Sequence, residues 1–113
     1  MLLVEIINQF RQQNGASRVL NWNQVVSNYC TEHCWAMAGR NELYHTEPCY
    51  LGNWSEIIAE TYFDTDYKTT FQKLIYDIVG KSSEHREILL RSNELAYGVM
   101  HFKCKVYLCI RGR

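Results

Sequence analysis

The chain has 113 residues, near the commonest size for one domain, and its 47% apolar and 13% aromatic content excludes a disordered or low-complexity chain. Net charge is zero but unevenly spread: residues 1–80 carry five Lys/Arg against nine Asp/Glu, and residues 81–113 carry seven against three. The halves are expected to offset each other on packing, and no basic cluster interleaved with aromatics offers a nucleic-acid platform.

In chain order, Leu2, Leu3, Ile6, Ile7 and Phe10 recur at helical spacing, and Asn14-Gly15 supplies a stop. Glu5 and Asn8, with no basic start, make this segment an amphipathic helix rather than a leader. Asn21 or Asn23 caps a second helix with the stripe Val25, Val26, Tyr29, Cys30, Cys34 and Met37, ending near Gly39. Asn41 to Asn53 holds the only proline and reads as an irregular connection. Ser55 to Phe63 suits a short strand or extended run, with a helical turn as the alternative.

Asp64, Thr65 and Asp66 offer caps for a third helix with Phe71, Leu74, Ile75, Ile78 and Val79 inward, closed by Gly80. Ser82 and Ser83 cap a short fourth helix through Leu90, with Glu84 well placed in its first turn. The pattern then turns strand-like, Leu95 to Phe102, a tight turn around Lys103 to Lys105, and Val106 to Ile110. Helices first and a β-hairpin last favour an α+β fold in one domain over residues 1–113. With no run of about 18 apolar residues, no membrane span is expected.

Cys30 and Cys34 lie one helical turn apart, on the same face, without the second tight Cys/His cluster a zinc module requires. Five cysteines is an odd count, so at least one is a free thiol or links two chains, and their redox state is left open. Among four histidines, His33 on a helix edge and His101 in a strand read as structural or surface groups. His45 and His85 sit at element boundaries, where side chains reach into clefts. In a first helical turn, the His85 imidazole is disfavoured as a cation, and the neutral ring is the form that binds metal or accepts a proton. A Cys49–His45 dyad and a Glu56/Glu60 acid–base pair have only sequence proximity behind them, and no phosphate loop, serine elbow or HExxH helix is present.

Six stretches, in order, resemble the CAP superfamily of SCP-like domains, which includes cysteine-rich secretory, antigen 5 and pathogenesis-related proteins. Ile7-Asn8 and Arg11 resemble its opening INxxRxxxG helix, and Leu20-Asn21-Trp22-Asn23 its LxWN. His33 to Ala38, followed by Asn41 to His45, resembles HSxxMA with NxLxH, and Trp54 to Ala59 takes the place of GENIA. Ser82 to Leu89 is similar to SPGHRENIL, and Tyr97-Gly98-Val99 to IGVG.

The resemblance implies an α-β-α sandwich, helices flanking a small antiparallel sheet, with a cleft lined by two histidines and two acids. His45 and His85 match the histidines, Glu56 the first acid, and Ser82 stands where the second acid falls, as in short bacterial members. Ser55 and Ile57 replace the residues flanking the family glutamate. By the same resemblance the cleft holds His45, Glu56, Ser82 and His85, and the two histidines can bind zinc or another divalent cation. Two imidazoles with waters make an open, weak site, with Glu56 either a third ligand or the holder of a histidine's second nitrogen.

The incomplete tetrad favours a non-enzymatic binding or interaction module, with no catalytic residue assigned. A metal-assisted or Glu56-dependent hydrolase of the peptidase kind is the alternative, and a small lipid or sterol binder a third. Partners are then a protein, peptide or lipid ligand, with oligomeric state open, and the family's habit implies secretion or cell-surface display.

Overall fold

A computed structural model describes residues 2–113. Helix α1 (Leu2–Gln13) buries Leu3, Ile6, Ile7 and Phe10, while Leu2 stays exposed. Gly15, at φ +84°, turns the chain out of it, a backbone state that costs glycine little. Strand β1 (Asn21–Trp22) follows, then α2 (Gln24–Arg40). Of the two asparagines considered, Asn23 is the cap, its side chain accepting from Val26 N at 2.9 Å. Asn41, in the left-handed region, ends the helix.

Within the connection, Pro48–Leu51 forms a single turn, α3. Ser55–Tyr62 is strand β2, which settles the segment left between strand and helical turn. Asp66 caps α4 (Tyr67–Gln72), accepting from Thr69 N at 2.7 Å. The helix continues as a π-helical stretch over Lys73–Ile78 and a 3-10 turn over Val79–Lys81. Ser82 caps α5 (Ser83–Arg91), and β3 (Glu94–Phe102) and β4 (Lys105–Gly112) form the hairpin.

The four strands lie in the order β1-β3-β4-β2. β4 pairs antiparallel with both neighbours, but β1 runs parallel to β3. The sheet is therefore mixed rather than antiparallel: the chain leaves α1 and lays two residues along β3 before turning into α2. Strand alternation sends Ile57, Ala59, Leu95, Val106, Leu108 and Ile110 to one face, where α1, α4 and α5 supply the other half of the core. The opposite face presents Ala96, Tyr107 and Cys109 to Cys30, Cys34, Met37 and Ala38 of α2. This is an α+β fold with helices on both faces of the sheet. Among the described residues no helix is long and apolar enough to cross a membrane.

The stripe expected on α2 is partly wrong. Val25 and Tyr29 are 63% and 55% exposed, and the buried line runs through Cys30, Cys34, Met37 and Ala38. These are spaced by four, three and one, a true helical face, whereas Tyr29 lies about 100° around from Cys30. Small side chains let the helix approach closely: a Cβ on Gly98 of β3 would collide with the backbone of Cys30 and Thr31.

Arg11 is buried and, among the described residues, pairs with no carboxylate. Its guanidinium instead donates to the carbonyls of Leu89 and Ser92, and its Nε to Ser17 at 2.8 Å. It thereby satisfies carbonyls at the C-terminal end of α5 that the helix itself leaves unpaired.

Candidate functional site

His45 lies on the connection leaving α2, Glu56 at the start of β2 and His85 in the first turn of α5. The three, 40 residues apart at the extremes, line one open cleft of about 660 Å³ at the end of the sheet where β2 begins and β4 ends. Leu51, Glu84, Ile88 and Arg113 are among its other walls. Ser82 is not among the lining residues; its hydroxyl accepts from His85 N at 3.5 Å and caps the helix that carries His85.

Glu56 is the best-anchored group of the three, its side chain only 1% exposed. Oε1 accepts from the Thr46 backbone at 2.8 Å and from His45 Nδ1 at 3.0 Å. Oε2 accepts from Thr46 Oγ1 at 2.7 Å, from Arg111 Nε at 3.1 Å and from the Cys109 thiol at 3.7 Å. Arg111, 6% exposed, also donates to Thr46 Oγ1 at 2.9 Å. Burial pushes the Glu56 carboxyl up, but the Thr46 hydroxyl and amide, and then His45, more than offset it and hold the acid below its ordinary range. An unpaired Glu56 would have gone the other way. This one is paired on both oxygens.

The consequence for His45 follows from its two nitrogens. Nδ1 is bound to Glu56, so the ring orientation is fixed and Nε2 is left to the cleft, with the side chain 57% exposed. The loop is braced from behind, since His33 Nε2 donates to the Tyr44 carbonyl at 2.6 Å and its ring meets Tyr44 edge-on. Burial lowers the His85 pKa, and the His45 charge lowers it further against the opposing pull of Glu84. His85 is neutral at physiological pH, as a ligand nitrogen must be.

Among the described residues no group of three or more His, Cys, Asp or Glu side chains is arranged to hold a metal ion. The donors present do not suit a closed four-ligand site. Glu56 holds His45 through Nδ1. The remaining histidine, His101, stacks on Phe63 and pairs through Nδ1 with the Tyr67 hydroxyl at 2.7 Å, away from the cleft.

Thr46 and Arg111 are the residues that sequence reasoning missed. Arg111 had one faint signal: it breaks an apolar run while keeping the inward phase of Tyr107 and Cys109. Its partner becomes visible only in the ladder, where Glu56 and Arg111 stand directly opposite.

The sequence profile of CAP, the cysteine-rich secretory protein family, matches residues 4–110. An extracellular protein with an SCP domain from Bacillus anthracis has a similar structure, with TM-score 0.71 and 18% identity over 98% of this chain and 39% of that one. An outer surface protein of Borrelia burgdorferi gives 0.72 and 12% over 98% and 89% of the two chains. NaASP2, solved with Zn2+, gives 0.72 and 10% over 98% and 76%. At these identities the likeness establishes the fold alone, and the chain spans about two-fifths of the Bacillus anthracis protein. No curated protein sequence matches the chain.

Proposed function

The chain belongs to the cysteine-rich secretory protein (CAP) family, and on that premise we propose that residues 1–113 act as a non-enzymatic binding module whose cleft takes up a divalent cation, zinc first, between His45 and His85. The reading is carried by the His45–Glu56 pair: a buried carboxylate on Nδ1 presents Nε2 to the same cleft that His85 lines. That is how proteins commonly fix an imidazole for metal binding. NaASP2, of similar fold, has been solved with Zn2+, which lends the choice of ion support.

Two protein ligands leave several coordination positions to water, so the site is weak and exchangeable. A bound ion would present a positive, ligand-hungry face to an acidic peptide, protein or lipid headgroup. Catalysis by Glu56 fits less well. Both of its oxygens accept hydrogen bonds, one of them from buried Arg111, and its depressed pKa makes it a weak base. The Bacillus anthracis and Borrelia burgdorferi proteins are described as extracellular and outer-surface, and we place this module outside the cell or on its surface by the same reasoning.

Calorimetric titration of zinc into the wild type and into a His45→Ala/His85→Ala double variant tests the reading. Binding heat in the wild type and none in the variant is expected. Equal heats in both would remove the metal from the cleft.

A further inference from the structure

All five cysteines are thiols in the structure, and three of them are fully buried on the α2 face of the sheet. Cys30 and Cys34 come from the inner face of α2, and Cys109 from the central strand β4. In the ladder Cys109 stands opposite Gly98. Gly98 is also where the α2 backbone at Cys30 and Thr31 rests directly on β3. The glycine's missing side chain thus lowers Cys30 onto the strand pair that carries Cys109, and the two cysteines share one buried cluster.

Cys34 is committed elsewhere. Its thiol donates to the Gly98 carbonyl at 3.3 Å and to the Tyr107 carbonyl at 3.7 Å, and burial pushes its pKa up to about 12. Cys49 and Cys104 are exposed, outside this cluster.

We propose that Cys30 and Cys109 are a disulfide-forming pair that ties α2 to the central strand when the chain folds under oxidising conditions, with Cys34 remaining a thiol. The oxidant is a low-molecular-weight disulfide. The Cys30 thiolate attacks one of its sulfurs and expels one thiolate; the Cys109 thiolate then attacks the Cys30 sulfur of the mixed disulfide and expels the second. One S–S bond forms and one breaks, the two protein thiols are oxidised, and their two protons go to the two released thiolates.

Because both sulfurs are inaccessible in the folded protein, the exchange belongs to folding, before α2 is seated. Bridging removes the Cys109 S–H donor from Glu56 Oε2 but leaves the Thr46 and Arg111 contacts in place. The pair is distinct from His45 and His85, and it meets the metal-binding proposal only where the Cys109 thiol touches Glu56.

The test refolds the full chain in a mixture of oxidised and reduced glutathione, in wild type and in a Cys49→Ser/Cys104→Ser background that removes the exposed thiols. Thiols left after denaturation are alkylated, and the linkages are mapped by mass spectrometry. A Cys30–Cys109 linked peptide with alkylated Cys34 is expected. The oxidised form should also melt about 10 °C above the reduced form, since the link closes a long loop. Finding Cys30 and Cys109 both alkylated, or Cys109 linked to Cys34, would overturn the proposal. Both readouts use chains that keep Cys30 and Cys109, so neither depends on a core variant that fails to fold.

Discussion

Glu56 shows how much one buried carboxylate can organise. Its desolvation is compensated by a backbone amide, a hydroxyl, a guanidinium and an imidazole, so it acts as a hub joining the His45 loop to β4. Changing Glu56→Gln removes the charge that Arg111 faces and leaves a buried cation unpaired. Destabilisation of about 3 kcal/mol is expected, read from urea denaturation. The same substitution loosens the His45 ring and should weaken zinc binding by roughly tenfold.

The pH dependence follows from the same residue. The folded-state pKa of Glu56 lies below that of the unfolded chain, so its ionised form stabilises the fold in and above the ordinary carboxylate range. That contribution is lost as pH falls through the folded value. The wild type should therefore lose stability on acidification more steeply than Glu56→Gln, in melting curves taken from neutral pH downward. Parallel curves would mean that Glu56 is not held ionised by its neighbours.

At the level of elements, the seating of α2 on the sheet depends on what is absent from Gly98. A methyl there has to displace helix backbone, not a flexible side chain. Gly98→Ala is expected to cost about 3 kcal/mol or more, with a reduced denaturation midpoint as the readout. A smaller loss, about 1 kcal/mol, is expected for Asn23→Ala, which removes the α2 cap and a hydrogen bond to Glu94.

The helices were legible where capping residues and apolar spacing agreed, as at Asn23, Asp66 and Ser82. Two elements were not. The two-residue strand β1 is too short to carry a period, and its parallel pairing joins residues more than 70 positions apart, Asn21 with Glu94 and Trp22 with Leu95. The π-helical stretch at Lys73–Ile78 keeps the inward residues helical spacing predicts, so its backbone leaves no mark in the pattern. The site divided similarly. His45, Glu56 and His85 could be singled out from position and resemblance, but Thr46 and Arg111 act through loop geometry and strand register.

For the whole molecule, two ion pairs join the acidic and basic parts of the chain. Arg111 and Lys105 from the basic C-terminal third pair with Glu56 and Glu60 from the acidic part, across the β2–β4 ladder. Arg113 meets Glu94 and covers Trp54 at 4.4 Å. The same ladder that carries these pairs also lines the cleft through Ser55, Glu56 and Gly112, so fold and site share one set of contacts. Family membership fits this economy: the sandwich is kept, and Ser82 is occupied in capping α5.

The central claim, a cation held between His45 and His85, is tested most directly by a crystal grown with zinc and an anomalous difference map at the zinc edge. A peak about 2.1 Å from His45 Nε2 and from a ring nitrogen of His85, with Glu56 still on His45 Nδ1, is the predicted result. A map with no peak in the cleft, or with zinc bound only elsewhere on the surface, would contradict it.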